Sequence, residues 1–266
     1  MFQKKTTRIP VPEYDFVRDG PLVTPEYDPS LTLVEAYWTR PGLALVVIVL
    51  TPANEYQYRG FEPSLTPFEK TVLERLFPAA RDLLIRTDVA MDEGSRTKAL
   101  YDAMDLYLER FSIDLTPDAV QKIRYYLKRN YLGWGILDPL QQDVEIEDIS
   151  CDGYSTPIFL YHRRYRNIRT SIRFCTQEEL DSMVVRFAQS AGKQISLASP
   201  IVDTALADGS RAQLTYGKAV TSCGSSFTIR KFREIPFSPI DLILNNTFTV
   251  AEMVYFWMAV EYSQSI

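Results

Sequence analysis

The run Leu43–Leu50 tightly limits what this chain can fold into. All of its residues are apolar, and its centre, Val46-Val47-Ile48-Val49, is wholly β-branched. A bilayer-spanning helix takes about 20 residues, so this run is too short to cross a membrane. Stiff χ1 angles favour a strand over a helix for such side chains. A strand that is apolar at every position has no face to show to water and must be covered on both. Leu33–Trp38 is its expected partner strand, joined across the turn signal Arg40-Pro41-Gly42.

Residues 1 to 32 are rich in Pro, Tyr and Asp and lack periodicity. Pro10, Pro12, Pro21, Pro25 and Pro29 argue against helix, so the segment reads as an extended arm. Three helices are expected after the strand pair. Thr66-Pro67-Phe68-Glu69 combines an N-cap, a Pro at the first helical position and a Glu two residues on, with Phe68, Val72 and Leu76 on the buried face. Leu100, Met104, Leu108 and Phe111 mark the second helix. Thr116-Pro117 opens the third, with Val120, Ile123 and Leu127 inward and Gly133 at the C-terminal cap. The aromatic stripe Tyr125, Tyr126, Tyr131 and Trp134 reads as packing, because no strand-borne aromatic motif of the RNA-binding kind accompanies it.

From Ile136 the pattern becomes mixed. Ile146–Ser150, Pro157–Tyr161 and Ile168–Phe174 read as strands. Thr176-Gln177-Glu178-Glu179 is a capping box, opening an amphipathic helix with Leu180, Met183, Val184, Phe187, Ala188 and Ala191 inward and Gly192 as its stop. Arg211–Tyr216 and Ser225–Phe232 complete an antiparallel sheet. The fold class is therefore α+β: a small helical subdomain, then a PAS-like antiparallel sheet with one packed helix. The expected divisions are 1–60 (arm and strand pair), 61–135 (helical), 136–234 (PAS-like) and 235–266. Ile235-Pro236-Phe237-Ser238-Pro239 reads as a linker. Thr249-Val250-Ala251-Glu252 caps a last helix carrying Val250, Met253, Val254 and Trp257 on one face.

Composition narrows the function. A net charge of -5 argues against a general nucleic-acid binder. Cys151, Cys175 and Cys223 show no metal-ligand spacing and fit reduced cytosolic thiols. His162 is the only histidine, too few for the usual metal site or hydrolytic triad, and reads as structural. Glu147-Asp148 reads as a turn or capping feature. Met1–Arg8 is basic but no apolar segment follows it, so it is not read as a signal peptide.

Two short basic signals carry the functional reading. Asp208-Gly209-Ser210-Arg211 and Gly224-Ser225-Ser226-Phe227-Thr228-Ile229-Arg230-Lys231-Phe232 place Arg211 and Arg230 on neighbouring extended segments. Guanidinium groups are planar forks that grip phosphate oxygens in pairs. Asp138-Pro139-Leu140, Ile146-Glu147-Asp148-Ile149, Asp152-Gly153, Pro157–His162, Gly192–Ser196 and Pro200–Asp203 precede these signals in a definite order. From about Tyr37 to Ile266 the chain resembles the N-terminal domain of the archaeal type II/IV secretion ATPases, the motors of archaeal pili and archaella. Two departures, Gln141 for a second Leu and Asp143-Val144 for Asp-Pro, touch only a turn. No G-x-x-x-x-G-K-[ST] phosphate loop is present, and Gly192-Lys193 does not make one. The resemblance places that loop just after Ile266, so the chain is expected to be an N-terminal part that does not hydrolyse ATP alone.

The resemblance implies that Arg211 and Arg230 reach the terminal phosphate of ATP bound with Mg by the parent's C-terminal motor domain. No cofactor is expected to bind tightly to this chain alone. Lys231 should point to the other sheet face. Leu242, Ile243 and Phe248 are candidates for an apolar slot holding the base, or for plain packing. Expected partners are the chain's own motor domain, a homohexameric ring and a polytopic membrane assembly protein; no nucleic acid is expected. The place is cytoplasmic, at the inner face of the membrane. Arg163, Arg164, Arg166, Arg169 and Arg173 read as a solvated hairpin, or more sharply as a contact for an acidic partner or anionic lipid. The rival readings are a stand-alone PAS-like interaction module and a conjugation-type DNA-processing motor.

Overall fold

The computed structural model describes residues 14–265 except Tyr27, Pro29, residues 87–91, Ala219 and residues 233–237; Ala79 and residues 82–86 are described by their backbone only. The described residues form an α+β fold of eight α-helices and nine β-strands. They divide into a large unit, Met1–Lys231, and a small one, Phe232–Ile266.

The large unit begins with a meander of β1 (Thr32–Arg40), β2 (Ala44–Leu50) and β3 (Tyr56–Phe61). The β1–β2 turn needs Gly42, whose φ is +74° and against which the Phe16 ring packs where a side chain would start. β2 is covered on both faces, as its composition demands. Val46 and Ile48 enter the main core. Leu45, Val47 and Val49 pack with Val23 and Leu31 of the N-terminal arm. The arm is not wholly extended. Asp15 caps a single helical turn, α1 (Phe16–Asp19), by accepting the Val17 N–H at 2.9 Å. Nothing between Pro12 and Pro21 forbids that turn; Pro10, Pro12 and Pro29 lie outside the described residues.

β3 leads into α2 (Pro67–Arg86), α3 (Glu93–Arg110) and α4 (Pro117–Tyr131), which close on a separate core around Val72, Leu76, Leu100, Met104, Ile123 and Leu127. Two expected core residues are exposed: Phe68 at 58% and Phe111 at 56%. Phe68 sits in the first turn, where buried Glu69 takes the inward position and accepts the Thr66 N–H at 2.6 Å. Phe111 has already left the helix as its cap and stacks on Tyr107 instead. Gly133 is not a left-handed cap, since its φ is not positive. Glycine is needed there because Asp138 Oδ1 occupies the space of a β-carbon.

The chain then returns to the sheet through α5 (Asp138–Gln142), β4 (Ile146–Cys151), β5 (Phe159–His162), β6 (Arg166–Thr170), α6 (Gln177–Ser190), β7 (Ile201–Ala205), β8 (Arg211–Thr215) and β9 (Ser226–Arg230). The strand expected over 168–174 ends at Thr170, because the Thr170 hydroxyl accepts the Ile172 N–H at 3.0 Å and turns the chain. The strand order is β1-β2-β3-β6-β5-β4-β9-β8-β7. Every pair is antiparallel except β3–β6, a parallel seam with two register pairs, Gln57↔Arg169 and Tyr58↔Thr170. The sheet expected from β4 to β9 is antiparallel throughout, and the parallel seam joins it to the first three strands to make one mixed sheet. α6 starts with its full capping box and buries Leu180, Val184, Phe187 and Ala188 in the core that also holds Ile149, Leu160, Phe227 and Ile229.

In the small unit, Ser238 and Thr249 head capping boxes for α7 (Pro239–Leu244) and α8 (Val250–Glu261). The expected linker is thus part helix: Ser238 and Pro239 begin α7, and residues 235–237 lie outside the described residues. On α8, Met253, Phe256 and Ala259 are half-buried, whereas Val250, Val254 and Trp257, expected on one face with Met253, are exposed.

Candidate functional site

Alternation along β8 and β9 sorts their side chains cleanly. Ala212, Leu214, Phe227 and Ile229 go to the core, while Arg211, Gln213, Thr228 and Arg230 go to the open face. Arg211 and Arg230 are direct register partners. Strand spacing and opposed pairing put their Cα atoms about 5 Å apart. The row continues through Asp148 to Tyr161 on one side and to Ala205 on the other. Arg230 Nε lies 3.2 Å from Asp148 Oδ1, and an Arg211 terminal nitrogen lies 4.0 Å from Asp203 Oδ2. Both guanidinium side chains are three-quarters exposed. Exposed ion pairs of this kind contribute at most about 1 kcal/mol, so a stronger anion would readily displace them.

The two flanking signals serve local structure. In Asp208-Gly209-Ser210, the Asp208 carboxylate accepts from the Ser210 N–H and hydroxyl at 3.0 and 2.9 Å, and Gln141 donates to it at 3.2 Å. The sequence departure at Gln141 thereby braces the turn that presents Arg211. In the second signal, buried Ser225 donates to Asp181 of α6 and accepts the Gly217 N–H at 2.9 Å. This fixes the loop before β9.

Lys231 turns to the opposite face, as alternation requires. Its Nζ donates to the carbonyls of Leu140 and Asp143. Burial lowers its pKa to about 8. Beside it lies a polar network that the sequence did not reveal. Buried His162 accepts the Arg164 N–H on Nδ1 at 3.2 Å, which leaves the proton of the neutral ring on Nε2, 3.3 Å from the Tyr37 hydroxyl. Tyr37 and Tyr58 both donate to Asp143 Oδ2, at 2.7 and 3.0 Å. Burial holds the His162 pKa below its ordinary value and the two phenols above theirs. His162 is structural here, and the network ties β1 and β3 to the elements across the parallel seam. Its members lie far apart in sequence and share no motif, so no local signal could have found it.

The arginine run is largely neutralised. Arg163 pairs with Glu147 at 3.3 Å, Arg164 with Glu35 at 2.8 Å and Arg169 with Glu55 at 2.6 Å, while Arg166 donates to the Tyr161 hydroxyl at 2.7 Å. Arg173 has no ion-pair partner among the described residues. Leu242 and Ile243 are half-buried on α7, and Phe248 meets Phe256 edge-on at 5.2 Å. Arg211 and Arg230 belong to the large unit and these three to the small one. Tyr125, Tyr126 and Tyr131 bond through their hydroxyls to Glu62 and to the Pro63 and Phe77 carbonyls, as packing residues do. Among the described residues no group of His, Cys, Asp and Glu is arranged to hold a metal ion, and no helix is long and apolar enough to cross a membrane.

No family model matches the chain. It is 38% identical over 184 residues to uncharacterized protein MJ1288 of Methanocaldococcus jannaschii, a match covering 68% of this chain and 72% of that protein. It is 34% identical over 209 residues to uncharacterized protein MJ0900 of the same organism, covering 79% of this chain but 36% of that protein. Among solved structures, the VirB11 ATPase of the Brucella suis type IV secretion system, in complex with sulphate, aligns with a TM-score of 0.37 and 19% identity over 48% of this chain and 42% of that one.

Proposed function

We propose, from the premise that the chain belongs to the family of the Methanocaldococcus jannaschii protein MJ1288, that it is a regulatory, nucleotide-sandwiching domain of a secretion or pilus-assembly ATPase. The observation that carries this reading is the direct opposition of Arg211 and Arg230 on an open sheet face. Like charges directly opposite one another destabilise a sheet. An anion bound between the two forks would relieve that repulsion. A phosphoryl group carried by a neighbouring motor domain is such an anion, and arginines so placed stabilise the charge spread over its oxygens during transfer.

In this reading the chain contributes the two arginines, and the motor domain contributes the phosphate loop, the Mg ion and the attacking water. The sequence order of Asp138-Pro139-Leu140 through Gly224–Phe232 supports the assignment to this class of motor. Leu242, Ile243 and Phe248 are proposed to flank the base. The ring, the membrane assembly partner and the place at the inner membrane face belong to the same proposal.

The test is steady-state ATP hydrolysis by the domain joined to its motor domain. Arg211→Ala and Arg230→Ala should each lower the rate by about 10³-fold, equivalent to about 4 kcal/mol of lost transition-state stabilisation, with unchanged thermal unfolding. Rates near wild type in both variants would return the pair to an ordinary solvated surface.

A further inference from the structure

A cleft of about 330 Å³ opens where the helical layer meets β3 and the segment after β6, and neither Arg211 nor Arg230 lines it. Its walls include Gly60 at the end of β3, Arg129 in the last turn of α4, Ile136 and Pro139 around the start of α5, and Ile172, Arg173 and Cys175. Its volume lies at the lower end of the range of small-molecule sites, about 300–1,000 Å³.

Two guanidinium groups here have spare donors. Arg129 is 8% exposed. Its Nε donates to the Gly135 carbonyl at 2.8 Å and lies 3.2 Å from Glu62 Oε1. Its other N–H groups donate to no protein acceptor among the described residues. These donors are not among the buried atoms that lack a partner, so water reaches them, and the guanidinium also lies over the Tyr126 ring at 5.1 Å; a ligand acceptor there would take the place of water. Glu62 pairs with the Nε side of this guanidinium and also accepts from Tyr125 at 2.5 Å. Arg173 is exposed at the cleft and, among the described residues, has no ion-pair partner, although each of the other four has a partner. Two cations against one carboxylate leave the cleft with a net positive charge. Ile136, Pro139 and Ile172 supply an apolar wall beside it.

The geometry points to a binding site for a small organic anion, with its carboxylate or phosphate on Arg129 and Arg173 and a compact apolar body against Ile136, Pro139 and Ile172. Such a ligand would bridge α4 and the sheet, and so would fix the helical layer against it.

Cys175 offers a built-in reporter. It is exposed and lines the cleft, whereas Cys151 is buried; Cys223→Ser removes the remaining exposed thiol. The alkylation rate of Cys175 by a neutral maleimide is measured in that background, at constant ionic strength, against hexanoate or inorganic phosphate, with chloride as control. A saturable, severalfold slowing by either probe is expected. Slowing by phosphate alone would assign a phosphate head, and slowing by hexanoate alone a carboxylate with an apolar body. Arg173→Gln should raise the half-saturating concentration about tenfold, the effect of losing one charge-assisted bond. Arg169→Gln, whose arginine pairs with Glu55, should leave it unchanged. Rates indifferent to both probes up to about 10 mM, the weak end of specific binding, would overturn the proposal. So would equal protection in Arg173→Gln protein with a wild-type circular dichroism melt.

Discussion

Gly133→Ala is expected to destabilise the large unit by about 2–5 kcal/mol, against the sign that backbone entropy alone would give. Gly133 does not use a left-handed conformation. At such a position Ala in place of Gly normally stabilises by about 0.4–1 kcal/mol, by restricting the unfolded chain. Space reverses the sign. A β-carbon would overlap Asp138 Oδ1 and lie 2.9 Å from the Arg129 carbonyl oxygen, which is backbone and cannot swing aside. Asp138 is 4% exposed, accepts the Trp134 N–H at 3.2 Å and approaches Arg40 at 4.0 Å. Displacing it breaks a bond to a buried charged acceptor, at about 1.5–3 kcal/mol. The remaining contact with the Arg129 carbonyl adds about 1–3 kcal/mol of overpacking. Urea unfolding followed by circular dichroism reads the change as a lower midpoint at constant m. In an Asp138→Ala background the cost of Gly133→Ala should shrink to the overpacking part, since the two sites are in contact and couple. A Gly133→Ala protein as stable as wild type, or more so, would refute the steric reasoning.

Lys231 carries a pH signature. Its proton leaves the folded protein near pH 8 and the unfolded chain near the ordinary value of 10.5. Between those values the unfolded chain holds the extra proton, so stability should rise with pH by up to about 3 kcal/mol. The penalty is fully present below pH 8. Comparing urea midpoints of wild type and Lys231→Met at pH 7.5 and 9.5 isolates the effect, and an equal rise in both proteins would exclude Lys231 as its source. Tyr58→Phe removes a buried donor from Asp143 and should cost about 1.5–3 kcal/mol in thermal unfolding; a loss under 0.5 kcal/mol would show that Tyr37 alone satisfies the carboxylate. Ser225→Ala leaves the Gly217 N–H and Asp181 without their shared hydroxyl and should cost about 1–3 kcal/mol, read by the same melts; an unchanged melt would mean that water replaces the hydroxyl.

The sequence was most legible where local chemistry decides the outcome. The capping box at Thr176 and the apolar spacing after it define α6, and the β-branched run defines β2, because each signal lies within a few residues of its effect. Phe68 and Phe111 depart from the expected core because periodicity shows which residues are apolar, not that Glu69 takes the inward position in the first turn or that the helix has ended at Phe111. β3 carries Tyr56, Gln57, Arg59 and Gly60, a mixture with no alternation to notice. Its place in the sheet comes from β2 on one side and β6 on the other. Arg211 and Arg230 were legible as neighbours because one hairpin joins their consecutive strands. The cleft between α4 and the sheet was not, since its walls come from three separate segments spread from Gly60 to Cys175.

The parallel seam between β3 and β6 bears on how the molecule assembles. The chain leaves the sheet at Phe61, forms the helical layer, and rejoins it at Ile146. The β1–β3 flank is built from near-neighbour hairpins that close at little entropic cost; the other flank adds the β4–β9 pairing, which joins Cys151 to Phe227, and the seam requires the longest loop to close, for two register pairs. The two half-sheets should therefore form early and zip together last, and the Tyr37–His162 and Tyr58–Asp143 bonds can appear only at that step. Mutations in this polar staple would then speed unfolding while leaving the folding rate almost untouched.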